Sequence, residues 1–440
     1  MKKLFSLIVL AAMLPAMSYS QEQADLESMA RTFFDHFLNK NVDAMEEMLG
    51  DDFKKMIPSG QLKEIAEGIE GQLGKYSHVV RSVYQKAGAY EVIILVARFG
   101  EMDWGVNLTF DQNRKIQGFL INVAPPEQFT PPPAYADSSR FTETEMKVDC
   151  GDIKLPAILT MPVTGENVPI VVLVHGSGPH DKDQTIGPNK IFRDIAQGLA
   201  TRGIAVLRYE KRTFRRHNSL DLNNITVWEE AGKDAVAAIR AAGQLPGIDG
   251  DRIYLAGHSL GGMIAPRIAQ EATELAGIIS LAGTPRYLYE LIPEQLQYLA
   301  ELRDDTSEES MQQIEEARQM AAGLANKRKN PEAVYETSHI GLPPSYWQDL
   351  NRFDTGTIAA SLPQRILVIQ GGRDYQVTVK DFEAWEKALK NHHDTTFFLF
   401  EDLDHLFFKG EGLSNPATYF QEGNVDERVI IAISNWINKL

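Results

Sequence analysis

Six short apolar runs, separated by stretches of helical periodicity, recur beyond Phe141: "IVVLVHG", "IAVLRYE", "RIYLAGH", "GIISLAG", "RILVIQGG" and "TTFFLFED". A strand with one wet face would alternate polar and apolar residues, and these runs do not. Near-continuous apolarity predicts strands covered on both faces, which calls for an α/β fold with a mostly parallel sheet flanked by helices. Between Gly283 and Pro363 the rhythm breaks into helical sequence. Thr306 to Glu309 reads as a capping box, and Met311, Ile314, Ala317, Ala321 and Leu324 share one helical face. A helical lid inserted over about 284–362 is therefore expected in place of another strand–helix unit.

At 440 residues the chain exceeds one ordinary domain, and its first part has a different rhythm. "ADLESMARTFFDHFLNK" sets Leu26, Met29, Phe33 and Phe37 at helical spacing, and "SGQLKEIAEGIEGQL" repeats the pattern with Ser59 as its N-cap. Four strand-like runs follow, "YSHVVRSVYQ", "YEVIILVARF", "DWGVNLTF" and "KIQGFLINV", with short breaks that suit an antiparallel meander. Residues 21–123 thus read as a small α+β domain with helices on one face of a curved sheet. In element order it resembles NTF2-like or cystatin-like domains. It holds no catalytic cluster, and is expected to serve packing or homodimerisation, with a ligand-binding cone as the sharper alternative. The proline-rich "APPEQFTPPPAYAD" then predicts a stiff tether over 124–138, and the α/β domain occupies 139–440.

The first twenty residues carry a basic "MKK", an apolar core too short to span a bilayer, and "SYS" before Gln21. That order reads as a secretory signal, with a periplasmic or extracellular mature chain starting near Gln21. No cysteine stands at the cleavage point, so lipid anchoring through one is excluded. Cys150 is the only cysteine and cannot form an intramolecular disulfide. Formal net charge is −16, which repels nucleic acid and anionic membrane.

The segment "RIYLAGHSLGGMIAPRIA" carries the chemistry. Gly257, Ser259 and Gly261 form G-x-S-x-G directly after a strand and before a helix, the context that a nucleophile on a strained turn requires. Serine is a poor nucleophile without a base to take its proton and a carboxylate to orient that base. Catalytic groups on a parallel sheet gather beyond the C-terminal strand ends. Asp374 lies at such an end in "RILVIQGGRDYQV". Asp402 and Asp404 compete, but adjoin the histidine they would have to orient from behind. Of the histidines after Asp374, His392 and His393 precede the strand "TTFFLF", on the opposite edge of the sheet. His405 follows it in "EDLDHLF" and reaches the correct edge. His258, beside the serine, should point away from it and pack.

"GHSLGG", "GGRDYQV" and "DLDHLF", in that order, resemble the α/β-hydrolase superfamily over roughly Phe141 to Leu440. The likeness runs to secreted bacterial esterases of the dienelactone-hydrolase and prolyl-oligopeptidase-like branches. It implies a Ser259–His405–Asp374 triad, a covalent acyl-enzyme, water as second acceptor, no cofactor, and a small-molecule ester or acyl substrate. An oxyanion needs two hydrogen-bond donors. The backbone N–H of Leu260 is one candidate. The turn "HGSG" supplies the other, from Ser177 or alternatively Gly178. The longer stretch "HGSGPHDKDQT" looks like a metal box, with His175, His180, Asp181 and Asp183 close together, but a turn that offers backbone donors is the better reading and no metal is expected. In "YEKRTFRRH", Lys211, Arg212, Arg215 and Arg216 follow another strand end; Arg212 could anchor a substrate carboxylate, form a structural ion pair or belong to a solvated loop. Tyr346 and Trp347 could line a substrate pocket under the lid or pack in the core. Alternatives to an esterase are a serine exopeptidase or acyl-peptide hydrolase, a thioesterase, and a non-catalytic binding module on the same scaffold.

Overall fold

The structure is a computed structural model describing residues 23–57, 60–87, 90–126, 128–215, 220–330 and 332–439. The expected signal segment and the Ser59 cap lie outside the described residues. The chain divides into two units, Met1–Glu127 and Gln128–Leu440.

In the first unit, helix 23–38 is followed by helices Val42–Met48, Asp51–Met56 and Gln61–Leu73. Strands β1 (Tyr76–Ala87), β2 (Tyr90–Phe99), β3 (Met102–Phe110) and β4 (Ile116–Val123) then form an antiparallel meander in that order. Alternate residues of β2 (Ile93, Leu95, Ala97 and Phe99) join Leu26, Phe33 and Phe37 of helix 23–38 in one core. That period of two beside a helical stripe is what places helices on a single face of the sheet.

The second unit is built on an eight-stranded sheet. Its strands are β5 (Phe141–Asp149), β6 (Lys154–Pro162), β7 (Val168–Val174), β8 (Ala205–Tyr209), β9 (Ile248–His258), β10 (Leu275–Leu281), β11 (Arg365–Gly371) and β12 (Thr395–Phe400). The spatial order is β12-β11-β10-β9-β7-β8-β6-β5. Strands from β12 to β8 run parallel, while β6 pairs antiparallel with both β8 and β5. Every residue of β7 is buried. Ile170, Val172 and Val174 face one core, and Val171 and Leu173 face the other. Helices Lys233–Ala242 and Leu260–Glu271 contribute to the first core, and Ile191–Thr201 and Glu427–Ile437 to the second.

From β7 the chain leaves toward β8 on one side, and from β9 toward β10 on the other. The C-terminal ends of β7 and β9 therefore flank the point where the winding reverses, the usual location of a ligand crevice in such sheets. Two local expectations shift. The long insertion helix Glu308–Arg328 is capped by Ser307, whose side chain accepts the Ser310 N–H at 3.2 Å, not by Thr306. The proline-rich stretch is not a free tether from Thr130 onward. Arg193 donates to the carbonyls of Thr130 (2.8 Å) and Pro131 (3.1 Å), and Tyr135 Oη to that of Val425 (2.7 Å). Prolines leave carbonyls with no local N–H partner, and the second unit satisfies them.

Candidate active site

β9 ends at His258 and helix Leu260–Glu271 starts two residues later, so the chain turns on Ser259 alone. Ser259 takes φ 54° and ψ −116°, a sparsely populated conformation worth about 1–3 kcal/mol of strain. Its N–H donates to Leu281 O (2.8 Å) and its carbonyl accepts the Met263 N–H (3.0 Å), so neighbours on both sides enforce that geometry. The flanking glycines are steric necessities. A Cβ on Gly257 would stand 2.2 Å from the Gly261 backbone, and one on Gly261 would stand 2.3 Å from Val174 O. Backbone atoms cannot rotate aside. Gly261→Ala is therefore expected to cost about 2 kcal/mol or more and to push the turn off β7, read as a lower urea midpoint together with lost hydrolysis.

The C-terminal end of β11 presents Asp374, and the loop after β12 presents His405. His405 Nδ1–H donates to Asp374 Oδ2 at 2.7 Å, with both side chains buried. Gln370 Nε2 also donates to Oδ2 (3.0 Å), while Oδ1 accepts the amides of Gln376 (2.8 Å) and Val377 (3.0 Å). Four donors on one carboxylate leave it no freedom to turn. His405 is in turn fixed to the serine's neighbour: His258 Nε2–H donates to His405 O (2.9 Å), and the two rings lie 4.8 Å apart. Burial pushes the His258 imidazole well below its usual range. It is neutral, with Nδ1 accepting from Gln184 Nε2 at 2.7 Å.

The turn Gly176–Gly178 follows β7 and abuts Ser259: a Cβ on Gly176 would lie 3.3 Å from the Ser259 Cβ. The Gly176 N–H donates to Gln184 Oε1 (3.0 Å), and the Gly178 N–H to Glu230 Oε1 (3.2 Å). The Ser177 N–H has no partner among the described residues. Leu260 opens its helix, and a first-turn N–H has no intrahelical acceptor. Both amides that the sequence nominates are thus unspent, and Gly178, the alternative, is occupied.

A model of the alpha/beta hydrolase family matches residues 171–421. The chain belongs to the alpha/beta hydrolase family. A model described as a protein of unknown function (DUF3887) matches residues 30–119. The chain is 36% identical to esterase EstD of Thermotoga maritima over 92% of its own length and 94% of that protein's. Among solved structures it is similar to Est1E from Butyrivibrio proteoclasticus (19% identity, 67% of this chain and 97% of that one, TM-score 0.44). It is also similar to a hyperthermophilic esterase from Pyrobaculum calidifontis (16% identity, 67% and 85%, TM-score 0.42).

Several side chains of this α/β hydrolase have other duties than a substrate contact. Arg212 is buried, with its guanidinium bound to Asp234 (2.8 and 2.7 Å) and Asp152 (3.1 and 3.2 Å). It is a structural ion pair. Tyr346 and Trp347 sit on helix Pro344–Asn351 and are fully buried. Trp347 Nε1 donates to His339 O (3.3 Å), and Tyr346 Oη to Glu230 Oε2 (2.5 Å). Asp349 of the same helix accepts from Arg267 (2.9 Å) and from the Trp228 N–H (3.0 Å). These aromatics are packed in the core of the sheet domain, where they anchor the insertion.

The acidic and histidine side chains of "HGSGPHDKDQT" are each engaged by a separate partner. His175 Nε2 meets Asp181 O (2.9 Å) and His180 Nε2 meets Ser177 O (2.7 Å). Asp181 closes its own loop by accepting from Thr185, and Asp183 pairs with Arg208 (2.9 Å) and Lys190 (3.1 Å). Of the rival acids, Asp404 accepts the Leu406 and Phe408 amides and Asp402 pairs with Arg428 (2.9 Å). His392 donates to Leu362 O (2.9 Å), in the loop entering β11. Sequence reasoning missed Gln184, Gln370, Glu230 and the role of Lys211. Only Lys211 carried a signal, as part of a basic cluster at a strand end.

Proposed function

We propose that this α/β hydrolase is a secreted serine esterase that cleaves carboxylic esters through an acyl-enzyme on Ser259. The observation that carries the reading is the His405–Asp374 hydrogen bond, held among four donors to the same carboxylate, beside a serine on a strained turn. With Nδ1–H committed to Asp374, His405 Nε2 is the basic nitrogen. It takes the proton from Ser259 Oγ as the oxygen attacks the ester carbonyl. Negative charge then develops on the carbonyl oxygen, where the N–H groups of Leu260 and Ser177 receive it. His405 returns its proton to the departing alcohol. Water, deprotonated by the same nitrogen, releases the acid. Esterase EstD supports the choice of esters over other acyl compounds. The N-terminal signal-like segment supports export.

The mature chain is expected to hydrolyse short p-nitrophenyl esters, to leave aminoacyl and dipeptidyl amides intact, and to be labelled at Ser259 by a fluorophosphonate. Activity confined to the amides would defeat the esterase reading, and labelling absent from Ser259 would defeat the serine-hydrolase reading altogether.

A further inference from the structure

Lys211 follows β8 and is buried, with its ammonium donating to Gly176 O (2.7 Å), Gly178 O (2.9 Å) and Glu230 Oε1. Glu230 lies on the π-turn Trp228–Gly232 and, besides Lys211, holds the Gly178 N–H and the Tyr346 hydroxyl. His180 holds the Ser177 carbonyl and Gln184 the Gly176 N–H. From Gly176 N to Gly178 O, every backbone polar group has a side-chain partner except the Ser177 N–H, among the described residues. Such thorough fixing of three residues leaves one amide unspent.

A trans peptide group is planar, with its C=O and N–H pointing in opposite directions. Gly176 O and Ser177 N–H belong to the same peptide group. A cation bound to that oxygen therefore sets where the hydrogen points and draws electron density from it, strengthening it as a donor. We propose that Lys211, held in place by Glu230, is a positioning residue of the oxyanion hole, aiming and polarising the Ser177 N–H through the Gly176 carbonyl. This rests on the serine-esterase reading above. A buried ion pair is a poor stabiliser compared with apolar packing of similar volume. The pair is thus better explained by the turn it organises than by the energy it adds to the fold. Its link to Tyr346 also makes the insertion helix part of that organisation: the fastening of Pro344–Asn351 and the aim of the Ser177 amide share one carboxylate.

The test uses Lys211→Met, together with the double variant Lys211→Met/Glu230→Gln, which leaves no bare carboxylate behind. Wild type and variants are compared by kcat and KM on a p-nitrophenyl ester and by inhibition with an aryl trifluoromethyl ketone, whose hemiketal with Ser259 carries an oxyanion. The expected result is a fall in kcat of about 30-fold or more, with KM within about 3-fold and ketone binding weakened by a factor similar to that in kcat. A purely structural lysine would lower thermal midpoint and active fraction without weakening the ketone relative to the ester. Folded variants that keep kcat within about twofold, or that lose kcat while binding the ketone as tightly as wild type, overturn the proposal. Failure of both variants to fold overturns it too, assigning the pair to the fold. A wild-type chain that hydrolyses no ester would instead defeat the reading on which it rests.

Discussion

Ser259→Ala is expected to lower ester turnover by at least about 10³-fold while the protein keeps its fold. The substitution removes one oxygen and adds nothing. The unusual backbone at this position is imposed from outside, by the Leu281 carbonyl behind and by the helix that starts at Leu260, so alanine will occupy the same φ and ψ. Whatever strain is stored there is common to both proteins, and thermal midpoints should differ little. Loss of the nucleophile leaves the oxyanion donors and His405 intact, so residual hydrolysis by direct attack of water remains measurable. The check is kcat for a p-nitrophenyl ester beside a melting curve. A folded variant that retains more than a tenth of the activity would remove Ser259 from the mechanism.

The two unlike units and the parallel sheet were legible because each follows from local pattern. β7 to β12 are read from unbroken apolarity, and the N-terminal meander from alternation and short breaks. The contact between Asp374 and His405 was within reach for a related reason. Parallel strands deliver their following loops to one edge, so two polar residues just past neighbouring strand ends meet. Most supports of the site were not legible, because their partners lie far apart in sequence, and none of them, Gln370 four residues from Asp374 included, belongs to a motif. Gln184 reaches His258 across 74 residues, His258 reaches the His405 carbonyl across 147, and Tyr346 reaches Glu230 across 116. Nor does residue type reveal which end of a side chain is used. Trp347 and Tyr346 have the aromatic character of a pocket wall and act as buried anchors, and Arg212 stands next to Lys211 yet serves a different pair of carboxylates. A strand end brings a cluster of charges to the site, and only packing decides which of them turns toward it.

Asp374→Asn should be nearly as damaging as loss of the serine, by about 10³- to 10⁴-fold in kcat, although it changes hardly any volume. The reason lies in the donors that surround the carboxylate. Oδ1 accepts two main-chain amides, Gln376 and Val377, which fix an oxygen on that side. The asparagine must therefore present its NH₂ where Oδ2 stood, toward His405 Nδ1 and Gln370 Nε2. Facing a donor, His405 Nδ1 has to accept, and its proton moves to Nε2. The ring is then in the tautomer that cannot take a proton from Ser259. Gln370 is simultaneously left donor against donor, so some loss of stability accompanies the loss of rate. KM should change far less than kcat, because the substrate does not touch Asp374. Asp404→Asn makes the contrast: that carboxylate receives the Leu406 and Phe408 amides on Oδ1 and no hydrogen bond from the histidine ring, so asparagine can keep an oxygen there and its cost should fall on stability. A kcat reduced by less than tenfold in folded Asp374→Asn, or a larger loss in Asp404→Asn, would transfer the orienting role from one aspartate to the other.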